Sequence, residues 1–204
     1  MILLARLLAV VGEMSWTVQI ARALKEVGES LECNVGVSMY CYIVLIACAE
    51  CFSTIGTLTK NSLWFTLEES SWVASALLFV TPTAIRLKRK HSRLPDLRAE
   101  HINKFLNILL VVLLVYDIWG VTMDVPSNLK RYNEERYSDD AGWLSLWDGV
   151  KDTTGACIVD RSEKTWAPYT LWMTAYFSLG VWSSLALASF DTRLKQDTDA
   201  LLPR

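Results

Sequence analysis

Five acidic residues lie in or beside long apolar stretches of the 204-residue chain, where a charge is costly to bury. Glu50 interrupts the run YCYIVLIACAECF, and Asp117 interrupts NILLVVLLVYDIWGV. Glu68 and Glu69 stand together in LWFTLEESSW, and Asp124 follows Asp117 seven residues later. Carboxyl groups gathered in an apolar environment suit a general acid, a proton relay or a cation site. We therefore predict these five acids as catalytic residues.

Structural roles for the same acids remain open. Glu68 and Glu69 fit the first turn of a helix, where the helix dipole favours acids. Asp124 fits a helix boundary, because Pro126 follows it closely. Glu50 and Asp117 either act chemically or make structural hydrogen bonds within a helix bundle.

Tryptophan is concentrated near one set of span ends, together with the acids. This pattern predicts an aromatic-lined cavity for an apolar substrate, while ordinary anchoring at a membrane interface is the alternative. The predicted substrate-binding residues are Trp64, Trp72, Trp119, Trp143, Trp147 and Trp172.

The elements that must position these residues are membrane-spanning helices. Apolar residues make up 52% of the chain, the mean hydropathy is +0.25 and the net charge is −2, which excludes a disordered chain and a basic nucleic-acid binder. Four stretches are long and apolar enough to cross a bilayer. They cover residues 35–58, 70–87, 105–123 and 166–190. We predict one all-α domain over residues 1–204, a polytopic membrane helix bundle, with Pro82 kinking the second span or ending it early.

Charge in the loops predicts the orientation of the bundle. Residues 86–104 are strongly basic, so we expect this loop and the C-terminal tail to be cytoplasmic. Residues 124–165 then lie outside or in a lumen. Binding of anionic lipid headgroups by the basic loop is a secondary interpretation.

Residues 1–34 form an amphipathic N-terminal segment. Arg6, Glu13 and Thr17 share one helix face, which favours a helix lying in the membrane plane; a fifth transmembrane helix is the alternative. In the outer loop, Trp143, Leu146, Trp147 and Val150 have helical spacing. They predict a short amphipathic helix that lies on the membrane surface or packs on its own domain.

Two short motifs resemble those of known membrane enzymes. Cys48-Ala49-Glu50-Cys51 is similar to the CxxC pair of membrane thiol oxidases, which also have four spans, but this pair lies inside a span and the long loop holds only Cys157. We expect Cys41, Cys48 and Cys51 to be packing residues instead. The segment LEESSWVASALLF resembles carotenoid and terpenoid cyclases, a likeness that implies protonation of an alkene or epoxide by an embedded acid.

No cofactor and no metal is predicted, because His91 and His101 both lie in the basic loop, away from the acids. Three functions fit the pattern. The first is an enzyme that acts on a lipid or isoprenoid by acid–base catalysis, such as an isomerase or cyclase. The second is a non-catalytic membrane subunit or assembly factor with a membrane protein partner. The third is a proton- or cation-coupled transporter.

Overall fold

The computed structural model describes residues 2–93, 99–138, 142–155, 178 and 180–189. Its helices are α1 (Ile2–Ser30), α2 (Gly36–Thr59), α3 (Ser62–Ser75), α4 (Thr81–His91), α5 (Ala99–Trp119), α6 (Val125–Arg136) and α7 (Leu146–Thr154). Residues 180–189 are also helical, and no strand occurs among the described residues. The all-α prediction is confirmed.

Four continuous helices are long and apolar enough to cross a membrane. They cover Ile2–Ser30, Gly36–Thr59, Ser62–His91 and Glu100–Arg136. The last three contain the predicted spans 35–58, 70–87 and 105–123, whereas most of the predicted span 166–190 lies outside the described residues. Helices satisfy their own backbone hydrogen bonds, which lipid cannot do. The chain therefore has the helices of a multi-pass membrane protein.

Each of two prolines follows a π-helical turn. Ala76–Val80 joins α3 to α4 just before Pro82, and Gly120–Asp124 joins α5 to α6 just before Pro126. A proline has no N–H and its ring crowds the preceding turn, so a widened turn accommodates it without a break. Pro82 therefore does not end the second span, which continues to His91.

The first helix runs antiparallel to α2. Near the end of α1, Gly28 lies against Val35, just before α2 begins. Near the start of α1, Arg6 reaches Glu50 in the second half of α2. By length and composition α1 is suited to cross a membrane, which fits the alternative of a fifth transmembrane helix stated above.

The apolar core lies toward one end of the bundle. Leu24, Ile46, Leu87 and Leu106 are completely buried there. We call this the inner end, because it includes the end of α4, and we call the end where α2 meets α3 the outer end. The polar side chains described next lie nearer the outer end.

Candidate functional site

Arg6 lies at the centre of a group of three glutamates, which we call the Arg6 cluster. Arg6 Nη2 is 2.6 Å from Glu50 Oε2, 3.4 Å from Glu68 Oε1 and 3.5 Å from Glu13 Oε2. The Glu50 side chain is only 3% exposed, and the other three are 12–18% exposed. One guanidinium thus serves three carboxyl groups in a poorly solvated region.

Three helices bring the Arg6 cluster together. Arg6 and Glu13 are seven residues apart, two turns along one face of α1. Glu50 comes from α2 and Glu68 from α3. Charges taken out of water are tolerated when they are paired and hydrogen-bonded, and removal of one partner leaves the other uncompensated. The cluster therefore ties α1 to α2 and α3.

Glu68 and Glu69 do not lie in a first helical turn, so that interpretation is wrong. Helix α3 begins at Ser62, eight residues before the predicted start of the span, and its first turn contains no acid. The helix dipole acts mainly on the terminal turn, so it does not explain these two glutamates. Glu68 instead contacts Arg6.

The remaining predicted acids are not part of the Arg6 cluster. Asp117 is 7% exposed, and its Oδ1 has no hydrogen-bond partner within the described ranges. Asp124 lies in the second π-helical turn, where the Trp119 side chain is within hydrogen-bonding reach. Glu69 is close enough to Glu68, Asp124, Glu13 and Arg6 for their charges to interact. Of the five predicted acids, Glu50 and Glu68 thus contact Arg6 directly, and Glu69 lies between the Arg6 cluster and Asp124.

The predicted tryptophans occupy separate places. Trp72 packs beside Trp16, with ring centroids 6.5 Å apart, and Trp64 stacks on Phe52 at 5.9 Å. Trp119 is 44% exposed on α5. Trp143 and Trp147 lie in the predicted outer loop. Trp172 lies outside the described residues. The aromatic-lined cavity thus stays a prediction.

At the outer end, α6, residues 142–145 and α7 form a unit that we call the outer lobe, in which α6 packs along α3. Glu135 on α6 accepts hydrogen bonds from the Ser62 backbone N–H at 3.1 Å and from the Ser62 hydroxyl at 2.6 Å. The Trp143 indole N–H donates to the same carboxylate at 3.3 Å, and the Trp143 ring stacks on Tyr132 at 6.0 Å. Glu135 therefore joins the start of α3 to the outer lobe.

Three further contacts hold α7 against the end of α2. The Leu144 N–H donates to the Thr59 carbonyl at 2.9 Å, and Lys60 pairs with Asp152 at 3.0 Å. A Cβ atom on Gly149 would overlap the Leu58 carbonyl, so only glycine allows this close approach. The outer lobe is therefore braced at both ends.

The predicted loop helix is present, and it packs on the chain through a side other than the predicted stripe. An exposed stripe agrees with the alternative in which the helix lies on the membrane surface. Helix α7 begins at Leu146, and the Ser145 hydroxyl caps it by accepting from the Asp148 N–H at 3.2 Å. Gly149 and Thr153 are the buried residues, whereas Leu146 and Trp147 are 53% and 67% exposed. Small residues thus make the internal contact, which leaves the large apolar side chains uncovered.

One face of α6 is uncovered and forms a shallow depression in the surface. Its lining residues are Pro126, Leu129, Lys130, Asn133, Glu134 and Tyr137. None of the predicted catalytic acids or tryptophans lines this depression in the described structure.

Sequence reasoning missed Arg6, Glu13 and Glu135 as candidate residues. The shared face of Arg6 and Glu13 was the available signal, since a charged face on an apolar helix needs a partner in the bundle. Glu135 carried no comparable signal, because charged residues surround it on α6.

The cysteine prediction is wrong for two residues. Cys48 and Cys51 are exposed on α2, and Cys41 is partly buried, so Cys48 and Cys51 do not pack inside the bundle. The described cysteines are all free thiols, and Cys157 lies outside the described residues. Within the same ranges, no group of three or more His, Cys, Asp or Glu side chains is arranged to hold a metal ion.

Comparison of the chain with protein-family models, curated proteins and solved structures finds no match. The class that the fold defines is a helical protein with several apolar helices suited to a membrane. Function is therefore argued from the site alone.

Proposed function

We propose that the protein is a non-catalytic subunit of a membrane complex and that its outer lobe docks an extramembrane part of a partner protein. The observation that carries the proposal is a braced lobe with uncovered aromatic groups. Tyr137 is 82% exposed and Trp147 is 67% exposed. Large aromatic side chains on a rigid, accessible surface are typical anchors of protein interfaces.

Helix length supports a position outside the bilayer for α6. The continuous helix Glu100–Arg136 has 37 residues, which corresponds to about 55 Å at about 1.5 Å per residue. The hydrocarbon core is only about 30 Å thick. The end of this helix lies beside the start of α3, where Glu135 contacts Ser62. We place this end outside the hydrocarbon core, where the exposed Tyr137 is available to another protein.

The described acids weaken the catalytic alternative for two of its residues. Glu50 and Glu68 contact Arg6 within the chain, which supports a structural role for both. Glu50 Oε1, like Asp117 Oδ1, has no hydrogen-bond partner among the described residues. The docking role rests on the outer lobe and not on the Arg6 cluster.

Purification of the tagged chain from its native membrane in mild detergent tests the proposal. We expect a stoichiometric complex, and a photo-crosslinking amino acid at Trp147 should join the partner. Tyr137→Ala with Trp147→Ala should lower recovery of the partner on the order of 30-fold, the loss expected for a hot spot of about 2 kcal/mol.

Val112→Ala is the matched control, because Val112 is 51% exposed on the apolar surface of α5. This variant should retain the partner, and a crosslinker at Val112 should not capture it. A monodisperse monomer under the same mild conditions would contradict the proposal. Unchanged recovery with the double variant would contradict it as well.

One observation favours an enzyme acting on a lipid or isoprenoid as a second candidate. Asp117 is buried and its Oδ1 lacks a partner among the described residues, as a general acid awaiting a substrate would. Lipid extracts from cells that produce the native chain and the Asp117→Asn variant at equal levels should then differ in one lipid species. Identical extracts would remove this candidate.

A further inference from the structure

Three exposed arginines lie at the inner end of α4. Arg86 and Arg89 share one face of the helix at i, i+3 spacing, and Arg93 lies in the turn two residues after the helix ends at His91. The opposite face is buried through Thr83, Ala84, Leu87 and His91. We call Arg86, Arg89 and Arg93 the arginine stripe.

Apolar residues continue the same face toward the middle of the helix. Pro82 is exposed one turn before Arg86, and Leu78 is 65% exposed one turn before Pro82. Leu78 and Arg86 are about 12 Å apart along the helix axis, at about 1.5 Å per residue. One leaflet of hydrocarbon is about 15 Å thick, half of the bilayer core. The apolar and charged parts of this helix face thus match the acyl chain and the charged headgroup of a lipid in position.

Three of the described carboxylates near the inner end pair with other bases. Glu26 pairs with Arg22, Glu29 with Lys25, and Glu100 with Lys104. Among the ion pairs between described residues, none includes a member of the arginine stripe. Their charges are therefore available to an external anion.

Nearby Lys90 has a different role. Its ammonium donates to the Glu32 carbonyl at 2.6 Å, which holds it toward the turn between α1 and α2. The lysine thus stabilises the inner end of the bundle, while the arginines face outward. A guanidinium binds phosphate with two parallel hydrogen bonds, which an ammonium cannot do.

We propose that Leu78, Pro82 and the arginine stripe form a binding site for one anionic phospholipid of the inner leaflet. The acyl chain lies along Leu78 and Pro82, and the phosphate lies among Arg86, Arg89 and Arg93. The site is independent of the proposed docking role of the outer lobe, which is at the opposite end of the bundle.

Native mass spectrometry of the purified full chain tests this proposal. Phosphatidylglycerol and phosphatidylcholine with identical acyl chains are added in parallel, and inorganic phosphate is added as a separate competitor. We expect retention of phosphatidylglycerol and little retention of phosphatidylcholine. Millimolar inorganic phosphate should not displace the lipid, because it lacks the apolar contact.

The variant R86Q/R89Q/R93Q should bind phosphatidylglycerol on the order of 100-fold more weakly, from about fivefold per arginine near a membrane surface. The matched control is K130Q/R136Q/K151Q, which removes the same charge from exposed bases of the outer lobe, at the opposite end of the bundle. The control should bind as the native chain does. Thermal unfolding verifies that each variant is folded. If the triple variant does not fold, Arg89→Gln alone replaces it, with an expected loss of affinity for phosphatidylglycerol of about fivefold.

The apolar half of the site has its own test. Leu78→Asn should weaken binding of long-chain phosphatidylglycerol while leaving binding of a short-chain, soluble analogue unchanged. Equal retention of both headgroups would overturn the proposal. So would native affinity in the arginine variants, or full displacement by inorganic phosphate, which would indicate a site for the free anion.

Discussion

The guanidinium of Arg6 and the carboxylate of Glu50, 44 residues apart in the chain, meet at 2.6 Å between α1 and α2. Each residue alone would be an uncompensated charge on an apolar helix. Their mutual attraction offsets part of the free-energy cost of removing both charges from water. The contact places α1 beside α2 and gives the N-terminal segment a defined position in the bundle.

Loss of the Arg6 guanidinium should destabilise the bundle strongly. Arg6→Met leaves Glu50 buried without its cation, which costs about 3–5 kcal/mol for a buried pair. We expect a clearly lower Tm in detergent, measured by thermal unfolding. Arg6→Met/Glu50→Gln should recover much of the loss, because both charges are then removed.

Lys25→Met provides the control for this prediction. Lys25 pairs with Glu29 on the exposed surface of the same helix, where such a pair contributes only about 0.2–0.5 kcal/mol. Its Tm should remain close to that of the native chain. Equal Tm values for Arg6→Met and Lys25→Met would show that the Arg6 cluster has no structural role.

The N-terminus should lie on the same side of the membrane as α7. Antiparallel packing against α2 brings the first residues of α1 to the outer end, where α1 also contacts α7. An epitope placed before Ile2 should be accessible to antibody in intact cells or sealed vesicles. An epitope inserted within residues 94–98 should require permeabilisation, and detection of both epitopes on one side would contradict a spanning α1.

Gly120 should not tolerate a side chain while Val73 is present. A Cβ atom at this position would overlap Val73 Cγ2, because α3 and the second π-helical turn approach closely. Gly120→Ala should lower stability by about 1–3 kcal/mol through overpacking. Val73→Ala in the same chain should restore part of the loss by making room.

Gly12→Ala is a suitable control for this pair, since nothing lies within 4 Å of a Cβ atom there. Alanine is also the better helix former, so this variant should be neutral or slightly stabilising. Thermal unfolding of the native chain, Gly120→Ala, Val73→Ala, the double variant and Gly12→Ala separates the steric effect from helix propensity. Independent, additive effects of Gly120→Ala and Val73→Ala would refute the contact.

Glu135 should control the attachment of the outer lobe. Glu135→Ala leaves the Ser62 N–H and hydroxyl and the Trp143 indole without their acceptor, a loss of about 1–3 kcal/mol for partly buried donors. Hydrogen exchange should become faster over residues 142–155. Glu134→Ala should leave exchange unchanged, because Glu134 is 67% exposed and makes only a surface pair with Lys130 at 3.8 Å.

Local patterns were sufficient to predict the apolar helices among the described residues and both ends of α2, but not α6, which lies in the predicted outer loop 124–165. Residues 35–58 and 105–123 follow from long apolar runs, because hydropathy and helix length depend only on neighbouring residues. The start of α3 was missed by eight residues, since its first turns contain serine, threonine and two glutamates. Their hydroxyls are satisfied within the helix, as when Thr66 donates to the Ser62 carbonyl at 3.0 Å.

The amino-acid sequence by itself determined that apolar helices dominate this protein and that acids interrupt them. Only the tertiary structure decided that Glu50 and Glu68 meet Arg6 while Asp117 does not. It also decided that Gly149, and not the aromatic stripe, packs α7 onto α2. These outcomes depend on which helices become neighbours and on how closely their backbones approach. The periodicity of residues within one helix carries no information about either.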